Sequence, residues 1–303
     1  MSLEFTPIQL DRRPAYINRL ASCPVAPSDL SFINLWAWAD VYGLEWAWDS
    51  ESVWIRQTGP EVCYWPPAGP WHRMDWNALL KRHIDRPCRF VRMPEQLVAI
   101  WQQQGLPPGS TIEETRKHWD YIYPFDALLE LKGRKLHKKK NLLNQFKKAY
   151  DYRYEPLSDQ SIYMASKMQQ NWCVWRDCES SEMLAAENRA IERVFNHWEQ
   201  LADIIGGCVF VDQEIIAYTL AEPLSTDTLL IHFEKADPEY KGSYQAVQQL
   251  FLSSLNHPYI HVNREQDLGD PGLRKAKLSY DPIAFVRKFR IDISNGEEKQ
   301  SRR

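Results

Sequence analysis

Residues 206–237, GGCVFVDQEIIAYTLAEPLSTDTLLIHFEKAD, contain three apolar segments that are separated by turn-forming residues. The segments are rich in β-branched and aromatic side chains, which predicts three consecutive antiparallel strands. GSYQAVQQLFLSSL at 242–255 then predicts a helix, and YIHVNRE at 259–265 predicts a further strand. This order is typical of a mixed, mostly antiparallel sheet that is flanked by helices. The fold class expected from this half is α+β.

The first half of the chain repeats the order strand, two helices, strand meander, helix and strand. This repetition predicts two domains of similar fold, residues 1–150 and residues 151–293. The basic segment at 126–150, DALLELKGRKLHKKKNLLNQFKKAY, is predicted to be a helix, continuous or broken near Gly133, that bridges the two domains. Residues 294–303 are polar and are predicted to be disordered.

The composition is that of a folded protein, because 44% of the 303 residues are apolar and 25% are charged. These proportions exclude disorder, collagen and coiled coil. The sequence has no apolar run of the roughly 18 residues that a membrane helix needs, and its start lacks the pattern of a signal peptide. A cytoplasmic location is expected, with peripheral membrane contact left open. Since the net charge is −3, binding to a polyanion requires a local basic patch.

The six cysteines are scattered without a CxxC pair. This spacing predicts neither a zinc site nor a thioredoxin-like motif, so no metal ligands are assigned. All six cysteines are expected to be reduced thiols. The sequence also lacks a Ser-His-Asp triad, a P-loop and a dinucleotide fingerprint, which leaves hydrolase, kinase and dehydrogenase functions without support.

Many of the 13 tryptophans lie in the first half, as in NLWAWADVYGLEWAWDSESVWI at 34–55. They are interpreted as a core of large aromatic side chains. The alternative is a surface on which bases or sugars stack. Helix and strand patterns mix in this segment, so the spacing does not define a single exposed stripe.

The segment HFEKAD at 232–237 places charged side chains at the carboxyl end of a predicted strand. His232 and Glu234 are two residues apart and are expected on one face of the sheet, with Lys235 on the other. We predict that this strand end borders a cleft. The alternative is an ordinary strand end with a solvated ion pair.

The segment YKGSYQ at 240–245 directly precedes the predicted helix. Gly242 can adopt a backbone conformation that is closed to other residues, and the free amides of a helix start bind anionic or carbonyl oxygen. A plain turn is the alternative to a binding loop here.

The segment NREQDLGDPGLRKAKLSYDP at 263–282 combines acids, cations and glycines. Arg274 and Lys277 are three residues apart on a predicted helix, so they lie on one side of it. Two cations in this arrangement can hold a phosphate backbone or a carboxylate.

These clusters, together with GRKLHKKKNLLNQF at 133–146, resemble the motifs of the phosphatidylglycerol lysyltransferase C-terminal family, formerly a domain of unknown function. The motifs span residues 126–290 in the family's order, whereas the first half matches by element order alone. The family resembles Fem-type transferases, which have two tandem GNAT-like domains and move an aminoacyl group from aminoacyl-tRNA to an amine or hydroxyl. The resemblance implies this fold and an acyltransferase activity. In the lysyltransferase the domain follows a transmembrane portion that this sequence lacks, so a lipid acceptor stays open.

GNAT enzymes hold the pyrophosphate of coenzyme A with the pattern Gln/Arg-x-x-Gly-x-Gly/Ala. In the same register this sequence has Glu239, Gly242 and Tyr244. The acid repels phosphate and the tyrosine crowds the turn. The departure favours aminoacyl-tRNA over acetyl-coenzyme A as the donor, and no cofactor is assigned with certainty.

The resemblance implies a base for the acceptor and positive charge for the oxyanion. Glu234 or Asp267 is expected to orient or deprotonate the acceptor, and Lys235 and Arg264 to offset negative charge. The expected proton donors to the leaving hydroxyl are Tyr244 and Tyr280. Substrate contacts are expected from His232, Gly242, Ser243, Asn263, Glu265, Arg274 and Lys277, with Lys138, Lys139 and Lys140 on the tRNA acceptor stem.

Two other functions remain open. One is a coenzyme-A-dependent N-acyltransferase on the same fold, and the other is a non-catalytic module that binds RNA or anionic lipid. The basic run at 134–148 is compatible with a solvated helix face, a tRNA contact or a contact with an anionic membrane. The expected acceptor is an amine or hydroxyl, such as that of a peptide or a lipid headgroup.

Overall fold

The computed structural model describes residues 3–85, 87–201, 203–256 and 258–294. Residues 295–303, most of the tail that is predicted to be disordered, lie outside the described residues. None of the helices within these ranges combines the length and the apolar character that crossing a membrane requires. The helices are α1 (Arg13–Leu20), α2 (Phe32–Ala37), α3 (Ala39–Tyr42), α4 (Trp76–His83), α5 (Glu95–Gln104), α6 (Phe125–Glu130), α7 (His137–Ala149), α8 (Asp159–Arg176), α9 (Glu182–Asn196), α10 (Ser243–Ser254) and α11 (Pro271–Leu278).

The strands form two mixed sheets, in the orders β1-β2-β3-β4-β5-β14-β6 and β13-β7-β12-β11-β10-β9-β8. The predicted α+β class with mixed, mostly antiparallel sheets is confirmed. The strands are β1 (Thr6–Pro7), β2 (Leu44–Trp48), β3 (Val53–Gln57), β4 (Cys63–Ala68), β5 (Cys88–Pro94), β6 (Thr111–Glu114), β7 (Asp120–Pro124), β8 (Tyr152–Pro156), β9 (Ile205–Val211), β10 (Glu214–Pro223), β11 (Thr228–Ala236), β12 (His261–Asn263), β13 (Ala284–Val286) and β14 (Lys288–Ile293).

The chain forms two compact units whose boundary differs from the expected one near residue 150. The first unit runs to Trp119 and takes up the chain again from Val286, and the second unit is Asp120–Phe285. The cause is that β7 pairs with β12, which brings the segment after residue 119 into the second sheet. The basic segment is therefore part of the second unit and is broken, as the alternative near Gly133 expects, into α6 and α7.

The first unit has an aromatic core. The tryptophans with at most 2% of their surface exposed are Trp46, Trp54, Trp65, Trp71, Trp76 and Trp101. Trp54 and Trp76 meet edge-on with ring centroids 6.0 Å apart. Aromatic pairs in this geometry add to the free energy of burial. The interpretation of these side chains as core is confirmed.

The second unit surrounds its sheet with helices on both faces. The helices α6, α7 and α10 cover one face, where Phe146, Val247 and Phe251 belong to the hydrophobic core. On the other face α8 and α9 cover Tyr218, whose hydroxyl donates to Gln169 and whose ring contacts Phe195.

A buried group of charges ties the returning strand β14 to the start of the first unit. Asp29 accepts hydrogen bonds from Arg92, at 2.7 Å, and from Lys288. Burial opposes the charge of Asp29, but Lys288 and Arg92 hold the pKa of its carboxyl well below its usual range. The charge is stable because both partners are present.

We expect Asp29→Ala to lower the free energy of unfolding by about 3–5 kcal/mol, because it leaves two buried cations without their shared counterion. Glu95→Ala is the matched control, since the Glu95–Arg287 pair is exposed and such a pair contributes at most about 1 kcal/mol. Urea unfolding of both variants measures the difference. Equal losses would contradict the importance given to the buried charges.

Candidate functional site

Two neighbouring strands of the second unit, β11 and β12, diverge after a short stretch of pairing. β12 pairs in parallel with β11 over three residues, from Thr228 opposite His261 to Leu230 opposite Asn263. β11 then continues to Ala236, while the chain after Asn263 no longer pairs with β11 and stays hydrogen-bonded to Tyr121 of β7 through Arg264 and Glu265. In this segment Glu265 has a φ of 55°, a left-handed backbone conformation that residues other than glycine rarely adopt. We call the space between the two diverging segments the β11–β12 gap.

A buried ion pair spans the β11–β12 gap. Arg264 Nη2 donates to Glu234 Oε1 at 3.0 Å, and the two side chains are 14% and 9% exposed. Within the described residues, Glu234 Oε2 and Arg264 Nη1 are buried and have no hydrogen-bond partner. Burial also raises the pKa of Glu234, against the opposing charges of Arg264 and Lys277. One acceptor and one donor of the pair are thus buried without a partner in the described structure, which is unusual because buried polar groups normally have partners.

Aromatic side chains frame this pair. The guanidinium of Arg264 lies 4.8 Å from the ring centroid of Tyr280 and 5.9 Å from that of Tyr123. The Tyr280 hydroxyl accepts a hydrogen bond from Gln245 on α10 at 2.9 Å. The Lys139 ammonium lies 4.3 Å from the Tyr280 ring centroid. Burial raises the pKa of Tyr280 and lowers that of Lys139, so the phenol keeps a proton that it can donate.

Asp267 is part of the support of the gap. It is completely buried. Its carboxylate accepts hydrogen bonds from the Tyr121 hydroxyl at 2.7 Å, from two nitrogens of Arg274 at 2.8 Å and from the Gly269 amide at 2.9 Å. Despite the opposing effect of burial, these donors lower the pKa of Asp267 to about 2. Such a saturated and weakly basic carboxylate is poorly suited to the expected role of general base, and its bidentate partner Arg274 is engaged inside the unit.

Lys277 fixes the backbone that carries Arg264. Its ammonium donates to the carbonyl oxygens of Arg264 and Gln266. Burial lowers the pKa of Lys277 to about 8. The expected grip of Arg274 and Lys277 on a phosphate is therefore not what the structure supports, because both side chains hold the turn after β12.

His232 is also a structural support. Its imidazole is fully buried and lies between two carboxylates, with Nε2 3.1 Å from Glu222 Oε1 and Nδ1 2.8 Å from Glu265 Oε1. The β10–β11 register skips His232, so the alternation that would place it on the same face as Glu234 is interrupted. Asn263 donates to Asp120 and accepts from the Glu265 amide. The polar groups of His232 and Asn263 thus bind other parts of the unit.

Lys235 lies on the opposite face from Glu234, as expected from the alternation of a strand. Its ammonium is 2.6 Å from Glu187 Oε2 on α9 and 3.9 Å from the ring centroid of Trp172 on α8. Trp172 Nε1 donates to the Tyr244 hydroxyl at 3.2 Å. The Lys235 ammonium therefore pairs with Glu187 on α9. It does not lie beside Arg264, with which it was expected to offset negative charge.

A disulfide between Cys173 and Cys178 follows Trp172 at the end of α8. It contradicts the expectation that all six cysteines are reduced. The fold brings the two residues together because α8 ends at Asp177 in a left-handed conformation, which turns the chain back. The four other cysteines are free thiols. No group of three or more metal-ligating side chains is found in the described part of the chain.

Gly242 serves helix packing. It has φ 91°, and a Cβ atom on it would lie 2.3 Å from the Leu142 carbonyl oxygen of α7. The next residue, Ser243, is buried, and its hydroxyl donates to the Asp237 carbonyl oxygen at 3.1 Å. The turn before α10 was expected to contact substrate, but it packs against the backbone of α7.

Comparison with known families shows where this chain belongs. The sequence model of the family described as "Phosphatidylglycerol lysyltransferase, C-terminal" matches residues 21–292. The chain belongs to this family. The match confirms the resemblance carried by the three motifs and extends it over most of the first half.

Solved structures show the same fold. A conserved protein of unknown function from Bacteroides thetaiotaomicron is 29% identical, with a TM-score of 0.85 over 96% of this chain and 100% of that chain. The C-terminal domain of a lysylphosphatidylglycerol synthetase from Agrobacterium fabrum is 11% identical, with a TM-score of 0.63 over 94% and 91% of the two chains. FemX is 10% identical, with a TM-score of 0.63 over 97% and 98%.

Among curated proteins, an uncharacterized protein from Mycoplasmoides gallisepticum is 23% identical over 175 residues. The alignment covers 57% of this chain and 56% of that protein, so the match spans about half of the relative's length.

The motif residues of this member of the phosphatidylglycerol lysyltransferase C-terminal family fall into two groups. Glu234, Arg264 and Tyr280 meet in the β11–β12 gap, and Lys139 reaches them from α7. The second group supports the gap from outside: His232, Lys235, Gly242, Ser243, Asn263, Glu265, Asp267, Arg274 and Lys277. Lys138 is exposed on α7 and Lys140 is half-buried.

The sequence patterns do not single out two residues that lie at the gap, Tyr123 and Gln245. Tyr123 lies on β7, which the expected boundary places in the other domain. The alternation in DYIYP at 120–124 is the signal that could have found it, because it puts Tyr121 and Tyr123 on one face.

The His232 imidazole should contribute a stability that depends on pH. Burial opposes its charge, but Glu222 and Glu265 raise its pKa to about 9. Because the folded pKa exceeds the ordinary value of about 6.5, this contribution is complete below pH 6.5 and is lost as the pH rises through 9. We expect the difference in unfolding free energy between wild type and His232→Gln to shrink between pH 6 and pH 9.5. A constant difference in urea unfolding across this range would argue against a charged imidazole.

Gly242→Ala should destabilise the protein more than Gly133→Ala. Both glycines have a positive φ, so each substitution costs about 1–2 kcal/mol of backbone strain. A Cβ atom at Gly133 meets nothing within 4 Å, whereas at Gly242 it collides with Leu142. The collision should cost a further 1–3 kcal/mol or so. Equal midpoints in thermal unfolding would refute the close approach of α7.

Proposed function

We propose that this chain is an aminoacyltransferase that moves an aminoacyl group from aminoacyl-tRNA to an amine or hydroxyl acceptor, with the β11–β12 gap as its active site. The observation that carries the proposal is the half-satisfied Glu234–Arg264 pair. Family membership supports the class of reaction. The amino acid and the acceptor, a peptide amine or a lipid hydroxyl, are not specified by these residues.

The proposed chemistry uses the two unpartnered atoms. The nucleophile of the acceptor attacks the ester carbonyl carbon, and Arg264 Nη1 donates to the oxygen on which negative charge develops. Glu234 Oε2 accepts the proton of the nucleophile, a role that its raised pKa favours at neutral pH. The ester C–O bond then breaks, and the leaving hydroxyl receives a proton from Tyr280. The proton held by Glu234 then restores the Tyr280 phenol, so the net result moves one proton from the acceptor to the leaving oxygen.

The coenzyme-A alternative is disfavoured by the turn before α10. In GNAT enzymes this turn holds the pyrophosphate, but here the Leu142 carbonyl of α7 closes on Gly242. The binding-module alternative leaves the unpartnered Glu234 oxygen without a role. A cytoplasmic location follows from the proposed donor, and contact with a membrane belongs to the proposal only if the acceptor is a lipid.

Glu234→Gln should reduce transfer about 10²–10⁴-fold, the usual contribution of a general base. The assay follows a radiolabelled amino acid from a mixture of charged tRNAs into lipid and peptide acceptors. Glu239→Gln is the matched control, since Glu239 is exposed five residues further on, and it should retain full activity. The wild-type rate should fall at acidic pH as Glu234 becomes protonated. Undiminished transfer by Glu234→Gln would refute its role as base.

The same assay, combined with thermal unfolding, distinguishes the proposed base from the residues that hold the gap in place. Because the buried Asp267 carboxylate and the partly exposed Arg274 bind each other, their alanine variants should lose stability together with activity. Glu234→Gln keeps a side-chain oxygen that can accept from Arg264 but removes its counterion, so its transfer should be compared with wild type at a temperature well below the unfolding midpoints of both.

A further inference from the structure

The loop between α6 and α7 borders a solvent-open hollow of about 370 Å³. We call it the basic hollow, and its lining is Leu131, Lys132, Gly133, Arg134, His137 and Lys140. The backbone turns here through two positive φ values, 48° at Leu131 and 97° at Gly133. A bulky residue such as leucine in this conformation costs roughly 1–3 kcal/mol, a strain that is concentrated at functional sites.

The lining carries positive charge that the protein does not neutralise. Lys132 is 2.6 Å from Glu130, but both side chains are largely exposed. Among the described residues, neither the Arg134 side chain nor the Lys140 side chain has a hydrogen bond or an ion pair, and the lining contains no acid. A guanidinium and an ammonium that converge on one concavity suit a phosphate group, because the first binds its oxygens as a fork and the second as a point charge.

The basic hollow adjoins the β11–β12 gap through α7. Lys139 extends from this helix to the Tyr280 ring, and the next residue, Lys140, lines the hollow. His137 and Lys140 are three residues apart and share one side of the helix. A ligand with an ester at Arg264 and phosphates further along its chain would therefore meet both sites.

We propose that the basic hollow binds a backbone phosphate of the donor RNA, an inference that rests on the function proposed above. An RNA is favoured over a membrane surface because the hollow is concave and receives a single protruding phosphate. The large apolar side chain of the lining, Leu131, is 1% exposed and offers nothing for insertion between lipids.

The test compares two charge reversals on the same helix region. Arg134→Glu/Lys140→Glu changes the hollow, and Lys147→Glu/Lys148→Glu makes the same change of charge at the other end of α7. The probe is an RNA hairpin with a single-stranded CCA 3′ end, titrated at several salt concentrations. We expect the first variant to bind at least about 10-fold more weakly and to flatten the slope of log Kd against log salt by about 1–2 units. The control should stay within two-fold of wild type.

Three outcomes would overturn the proposal. The first is an RNA affinity and a salt slope like those of wild type for the hollow variant. The second is an equal loss in the control, which would mean that total charge matters and the hollow does not. The third is unchanged RNA binding with lost flotation on phosphatidylglycerol vesicles, which would assign the hollow to a membrane.

Glu234→Gln keeps this test separate from the test of catalysis. The variant retains the hollow, so it should bind the hairpin with wild-type affinity. If it bound normally and also transferred normally, the proposed base would be wrong while the phosphate site would stand.

Discussion

A buried ion pair that is satisfied on one side only is the constraint on which the active end of this molecule depends. Glu234 and Arg264 bind each other with one atom each, and among the residues that the structure describes the second atom of each is buried without a hydrogen-bond partner. Leaving such groups unpaired costs stability. The protein tolerates that cost because the surrounding fold holds both side chains in place, and a ligand that supplies an acceptor and a donor would recover it.

The support of this pair comes from long-range contacts. Lys277 binds the carbonyl of Arg264, and the Asp267–Arg274 pair closes the turn that follows. His232 joins the end of β10 to the same turn through Glu222 and Glu265. Most charged residues of the motifs therefore serve to fix geometry. Their charged groups bind other groups of the protein, so only a small number of side chains are left to contact a substrate.

The sequence predicts the parts of this arrangement that depend on local patterns. Alternation and turn residues predict β9, β10, β11 and α10, and the charged end of β11 predicts that this strand end borders a cleft. Local patterns do not reveal the extra residue at His232 that interrupts the β10–β11 register, or the approach of α7 to Gly242. They also misplace the domain boundary, because β7 joins the second sheet through a pairing with a strand more than a hundred residues later. The roles of Asp267 and Lys277 could not be predicted either. Charged residues of the same types serve in internal contacts and in substrate contacts, and the sequence does not distinguish the two.

The most direct test of the account is a crystal structure with an RNA hairpin that carries an amino acid through a non-hydrolysable 3′-amide. The account predicts that the amide carbonyl oxygen accepts a hydrogen bond from Arg264 Nη1, with Glu234 Oε2 facing the side from which an acceptor attacks. A ligand bound elsewhere, with both of these atoms still buried and unpaired, would contradict it.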